Sequence, residues 1–325
     1  MLNDSRDAPN AFLLYNLLIA AVPAASALFL LPPSHWLGVA YFATLYALFL
    51  ARFLVAVLHV TEHRRLFKPG YELLNYIAPY LLAPLFGVPS GLYTLHHVIM
   101  HHTEDNHAPH DLSSTEAFQR DNPLHFLLYW LRHAVGGLVE VPLYAVRRRG
   151  WALAGRCVAS EAAYLGAVAA LWRARPTATL WALVVPYFVT SLALMFGNWS
   201  QHIFVRSGGR SGDSLAYTCV GDPGNALTCN DGYHVTHHEN SRLHWSELPQ
   251  RFLESLPVHD RACGIAFKGI GVFEVGVACF AGRLNWLAER WVPCGPATAA
   301  LTRAEKVALL RQRLAPVPSS GRWHG

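Results

Sequence analysis

Apolar positions in this chain come in long blocks with no alternation. Residues 11–31 (AFLLYNLLIAAVPAASALFLL) carry no formal charge. About 20 such positions suffice for a helix to cross a hydrocarbon core about 30 Å thick. Residues 36–58 hold one charge, Arg52, near the C-terminal end, where a guanidinium reaches the interface. Residues 150–172 hold Arg156 and Glu161, and residues 177–199 hold no charge. These blocks predict about four membrane-spanning helices, of which 150–172 is the least apolar.

Two further blocks are too short or too interrupted to cross. Residues 71–86 are broken by Pro79 and Pro84 and read as a shallow interfacial piece. Residues 264–294 alternate apolar runs with Lys268, Glu274, Arg283, Glu289 and Arg290, the pattern of a helix and turn lying against the membrane or the domain outside it. The first block is read as an uncleaved anchor and not as a signal peptide, because its apolar run is long and MLNDSRDAPN is not positively charged. SGGRSGDS, residues 207–214, reads as a flexible loop and 315–325 as a disordered tail.

Composition agrees: 53% of the residues are hydrophobic and only 14% charged, which excludes an ordinary soluble globule. The expectation is an all-α integral membrane protein, a single domain over 1–325, with a helical cap from 59–149 and 200–295. Four spans put both termini and the 59–149 loop on one side. That loop carries Arg64, Arg65, Lys68, Arg120, Arg132, Arg147, Arg148 and Arg149, so the positive-inside rule places it in the cytosol. The net charge of +5 follows from these flanking groups. No basic stripe with interleaved aromatics points to nucleic acid. The six cysteines form no CxxC pair and are expected as free thiols in a reducing cytosol.

The histidines are clustered. HVTEH gives His59 and His63, HVIMHH gives His97, His101 and His102, NWSQH gives Asn198 and His202, and HVTHH gives His234, His237 and His238. Side chains at i, i+3 and i+4 project from one helix face and can converge on a point. Each cluster contains such a pair, and each falls at a cytosolic helix end or loop. Nine imidazoles and one amide exceed the four ligands of a single zinc and suit two ions of five- or six-coordinate geometry. Neutral imidazole accepts iron, copper, zinc or nickel, so ligand type does not name the metal. His35, His125, His133, His259 and His324 stand alone and read as surface or satisfied core residues. His96 doubles His97 and is left outside the ligand set. His107 and His110 are open between a structural and a supporting role, and His244 is unassigned.

The three boxes HVTEH, HVIMHH and HVTHH, in this order and separated by this pair of spans, resemble those of the integral membrane fatty acid desaturase and hydroxylase superfamily. NWSQH resembles the further NxxxH of acyl-CoA desaturases, and DGYHVTHH resembles the family's lead-in to the third box. The likeness covers 11 to about 260. It implies a non-haem di-iron centre of two iron ions with O2 as co-substrate, Asn198 holding its metal through water. The substrate implied is a fatty acyl lipid or acyl thioester, desaturated by removal of hydrogen from an unactivated C–H bond. That chemistry belongs to a metal–oxygen species, since an alkyl carbon offers ordinary side chains nothing to act on. No cytochrome b5 domain of HPGG type is visible, so cytochrome b5 or a ferredoxin is expected as a separate donor. The endoplasmic reticulum is the expected location in a eukaryote.

Ligating imidazoles need an acceptor for their outer N–H, and Glu62, Asp105, Asp111, Asp231 and Glu239 are near enough in sequence to serve. The alternatives on the same scaffold are a hydroxylase, a ketolase or a terminal-alkene-forming enzyme. Outside it stand a zinc-dependent membrane hydrolase, a metal transporter and a non-catalytic regulatory member. A hydrolase leaves most of nine histidines unexplained, and transport calls for polar groups within spans that have almost none.

Overall fold

A computed structural model describes residues 1–206 and 212–317 of the chain. The expected loop at 207–214 lies outside the described residues up to 211, as do His324 and the expected tail from 318 onward. The chain divides into two compact units, Met1–Met100 with Ala134–Leu194 and His101–His133 with Met195–Gly325.

The first unit is built of long apolar helices. α1, Ala8–Leu30, buries Leu14, Leu17, Ala21, Ala25 and Leu28 on one stripe. Phe12, Tyr15, Ile19 and Leu30 stay exposed, so the helix is apolar all round, as a lipid-facing helix is. α2, His35–Ala51, starts at Ser34, whose hydroxyl accepts from the backbone N–H of Leu37. It continues without a break through a wider, π-type ladder at Arg52–His59 and an α turn at Val60–His63. A Cβ at Gly38 would run into the Trp181 ring, so only glycine permits this approach. The core gathers Leu17, Phe53, Val57, Leu58, Leu82, Phe86 and Ala182, with the Phe53 and Phe86 rings stacked at 4.2 Å.

α3 begins as a π-type stretch, Thr94–His101, and passes directly into His102–Glu104. α4, Pro123–Leu131, is capped by Asn122, and α5, Gly137–Arg147, precedes α6, Trp151–Ala174. α7, Val185–Gln201, ends the apolar stretch Pro176–Gln201. Among the described residues three helices are long and apolar enough to cross a membrane: Ser5–Leu30, His35–His63 and Pro176–Gln201. These correspond to the first, second and fourth predicted spans. The third predicted span does form a helix, α6 with 24 residues, but it is not among those three, and its buried face includes Glu161. Residues 71–86 form short turns that bury Leu82 and Phe86 and expose Tyr71, Leu73, Tyr76 and Tyr80.

The second unit carries α8 (His234–Glu239), α9 (Leu248–Arg261), α10 (Val272–Phe280), α11 (Leu284–Arg290) and α12 (Arg303–Leu314). The start of α12 is fixed by a capping box between Thr302 and Glu305. Two three-residue strands, β1 (Thr218–Val220) and β2 (Ala266–Lys268), pair in parallel with Cys219 opposite Phe267. Among the described residues the architecture is thus helical with one two-stranded sheet and two isolated bridges, and residues 264–294 include β2, α10 and α11. No disulfide joins any of the six cysteines.

Candidate metal centre

Each unit gathers box histidines, and the geometry of each gathering is distinct. In the first unit, the C-terminal end of the His35–His63 span presents His59 and His63, and α3 presents His97. The three ring centroids lie 4.8, 4.7 and 5.2 Å apart, with the planes near perpendicular. Their ligand nitrogens fall within 4.8 Å of one another. The Tyr93 ring stacks on His97 at 4.9 Å. Glu62, between the two histidines of the first box, accepts a 2.6 Å hydrogen bond from the Thr94 hydroxyl, one turn before His97, and so joins the two box-bearing helices.

In the second unit, ligand nitrogens of His101, His202 and His238 also lie within 4.8 Å of one another. What orients these rings is visible atom by atom. His101 Nδ1 is 2.7 Å from Asp111 Oδ2, and Asp111 is itself held by the Ser113 backbone N–H and hydroxyl. His238 Nδ1 is 2.7 Å from Asp105 Oδ1. Asp105 has a left-handed backbone, φ 52°, a conformation Asp tolerates better than most residues. His202 Nδ1 is 2.8 Å from the Leu215 carbonyl oxygen, and the Thr115 hydroxyl donates to the His202 carbonyl at 2.7 Å. Carboxylates and carbonyls only accept, so all three rings carry their proton on Nδ1 and turn an Nε2 lone pair the other way.

Those lone pairs converge. His234 Nε2 is 3.1 Å from His202 Nε2 and 3.2 Å from His238 Nε2, while His237 Nε2 is 3.2 Å from His102 Nε2. Lone pairs aimed at one another repel unless a proton or cation lies among them, and a neutral multi-imidazole donor set fits a transition metal such as iron. Burial, followed by the neighbouring His238 and His101, holds the His202 imidazole well below its ordinary range. Burial likewise lowers that of His238 against the opposing pull of Asp105. For His101, burial is the largest influence and pulls the same way, but the Asp111 charge, its hydrogen bond and the Asp105 charge together exceed it, and the net direction is upward.

The remaining candidates take varied places. Asn198 donates its Nδ2 to the Ser113 carbonyl at 3.0 Å and to the Tyr129 hydroxyl at 2.7 Å, which leaves Oδ1 as the atom able to hold a water. Asp231 accepts at 2.7 Å from Gln201 Nε2, one residue before His202, and burial pushes its carboxyl up to about 7. Glu239 lies with Asp213 and His259, their ligand atoms within 4.8 Å of one another. His259 is a satisfied core residue, buried between Asp213 (2.8 Å) and Ser255 (3.1 Å), and ties Gly212–Leu215 to α9. His107 pairs with Glu116 at 3.0 Å and braces its own loop. His244 caps the turn Trp245–Glu247. His96 is buried.

Sequence reasoning did not find Ser113, Thr115, Tyr129 or the Leu215 carbonyl. A carbonyl leaves no signal, because every residue has one. It also missed Arg120, a fully buried guanidinium whose N–H groups donate to the carbonyls of Thr115, Glu116, Phe118, Ile203, Arg313 and Ala315.

The chain is thus a helical protein with long apolar helices and clustered imidazoles, oriented by carboxylates and a carbonyl, that could hold a metal ion. The family model described as Fatty acid desaturase matches residues 34–263. The chain belongs to that family and is accordingly an oxidoreductase of the desaturase/hydroxylase kind that acts on fatty acyl substrates in a membrane setting. No curated protein and no solved structure matches it.

Proposed function

We propose that the chain is an O2-dependent di-iron enzyme that introduces a double bond into the fatty acyl chain of a lipid or thioester. His59, His63, His97, His101, His102, His202, His234, His237 and His238 serve as ligands of two iron ions, and Asn198 acts through water. The observation that carries this reading is the set of Nε2 lone pairs on His101, His202 and His238, each fixed by an acceptor on Nδ1. Iron bound there supplies the activation of O2 that lets an unactivated C–H bond be attacked.

The protein's own residues do the positioning. Asp111, Asp105 and the Leu215 carbonyl accept the Nδ1 protons and turn the imidazoles inward, burial favours the neutral form of His202 and His238, and Thr115 and Arg120 hold the chain around His202. The balance of the reaction is that two hydrogens from the acyl chain, with two electrons and two protons from outside, reduce O2 to two waters. The electrons come from a separate cytochrome b5 or ferredoxin. With α6 as a fourth crossing beside the three longer apolar helices, both termini lie on the cytosolic side, in the endoplasmic reticulum if the cell is eukaryotic.

Expression of the full chain in a host of defined lipid profile, followed by mass spectrometry of all acyl chains, tests the reading. Products lighter by two hydrogens are expected. A gain of oxygen makes the enzyme a hydroxylase or ketolase instead, and an unchanged profile with released acyl groups makes it a hydrolase.

A further inference from the structure

The second unit carries an apolar face that its own packing leaves open. On α4, Leu124, Leu127, Leu128 and Leu131 are exposed at three- and four-residue spacing, Leu124 by 69%. On α10, Phe273 and Val277, four apart, are exposed, Val277 by 57%. The opposite sides of both helices are well covered: Tyr129 is fully buried on α4, and Val275 and Cys279 are buried on α10. α4 thus has one packed and one bare apolar side, and on α10 the bare side carries Phe273 and Val277 with exposed Glu274 confined to the first turn, where it accepts from the Gly271 N–H, whereas a surface helix facing water has a polar outer side along its length.

Aromatic rings fasten both helices to one place. Phe196 on α7 meets Phe126 of α4 at 5.4 Å, and Phe273 and Phe280 of α10 at 5.5 and 5.8 Å. Phe126 also meets Phe280 at 5.9 Å. Phe196 stands five residues before Gln201, the end of the apolar stretch Pro176–Gln201. At about 1.5 Å per residue it is about 8 Å along the helix from that end, the depth at which a crossing helix leaves the hydrocarbon. Exposed Lys268 and Arg283 flank α10 on either side, where cations meet lipid phosphates.

We propose that α4 and α10 lie in the plane of the membrane, their bare sides immersed at the boundary between headgroups and acyl chains. The occupant is the lipid bilayer. A protein partner would cover the same leucines, but the attachment to the end of a crossing helix fixes their depth, and the flanking cations match a phospholipid surface.

Nitroxide labels on Leu128→Cys, Phe273→Cys and Val277→Cys, with Cys229 and Cys263 changed to Ser, test this in the full chain reconstituted in phosphatidylcholine nanodiscs. Arg311→Cys on exposed α12 is the reference. At the three apolar sites, collision with O2 is expected to rise and collision with a water-soluble nickel chelate to fall, both several-fold against the reference. Chelate access equal to that at Arg311 would place the face in water and overturn the proposal. Protection from both reagents would overturn it too, by showing a covering protein surface such as a second copy of this chain.

Discussion

At the residue scale the account rests on acceptors that set the proton on each imidazole. Asp111 touches His101 and Asp105 touches His238, so Asp111→Ala or Asp105→Ala removes the acceptor while the ligand remains. Iron affinity should fall roughly 10–100-fold, read by chelator competition. Glu239→Gln should leave it unchanged, because Glu239 lies with Asp213 and His259. Equal losses in all three variants would refute the assignment of the acceptors. Five carboxylates were legible as candidates from proximity in sequence, but their partners were not, since Asp105 reaches His238 only through a long-range contact. Asp231 adds a pH dependence. Burial raises its carboxyl to about 7 from an ordinary value near 3.8, so the folded state keeps a proton that the unfolded state releases. Its contribution to stability is therefore most favourable at low pH and declines as pH rises through about 4 to 7. In the metal-free protein, Asp231→Asn should flatten the fall in Tm between pH 5 and 8; an unaltered slope would show that Asp231 titrates normally.

At the element scale, the apolar blocks foretold α1, α2 and α7, because a run without charges leaves few alternatives to a crossing helix. The π-type stretches at Arg52–His59 and Thr94–His101 were not foretold, since a change of ladder leaves the hydrophobic pattern intact. Nor were β1 and β2, each only three residues long. The least legible element link is Arg120, which joins the 115–118 loop, the residue after His202 and the end of α12. A guanidinium spreads its donors in a fork that an ammonium lacks. Arg120→Lys should thus orphan several buried carbonyls and cost about 3 kcal/mol or more, seen as a lowered Tm together with loss of bound iron. A variant with wild-type Tm would show that water or other donors replace the fork.

At the scale of the whole molecule, the family match over residues 34–263 spans all the box histidines read from sequence. Four short motifs far apart in the chain are brought into compact groups within each unit. Spacing made the candidate ligands legible because helical periodicity is local. Their number per metal was not legible, since it depends on how rings from different elements meet. The most direct test of the central claim is metal analysis, with Mössbauer spectroscopy, of the full chain purified anaerobically from cells grown on 57Fe. The account predicts two irons per chain in nitrogen-rich coordination, both lost in His101→Ala and His237→Ala. Zinc alone, or full iron content in those variants, would contradict it.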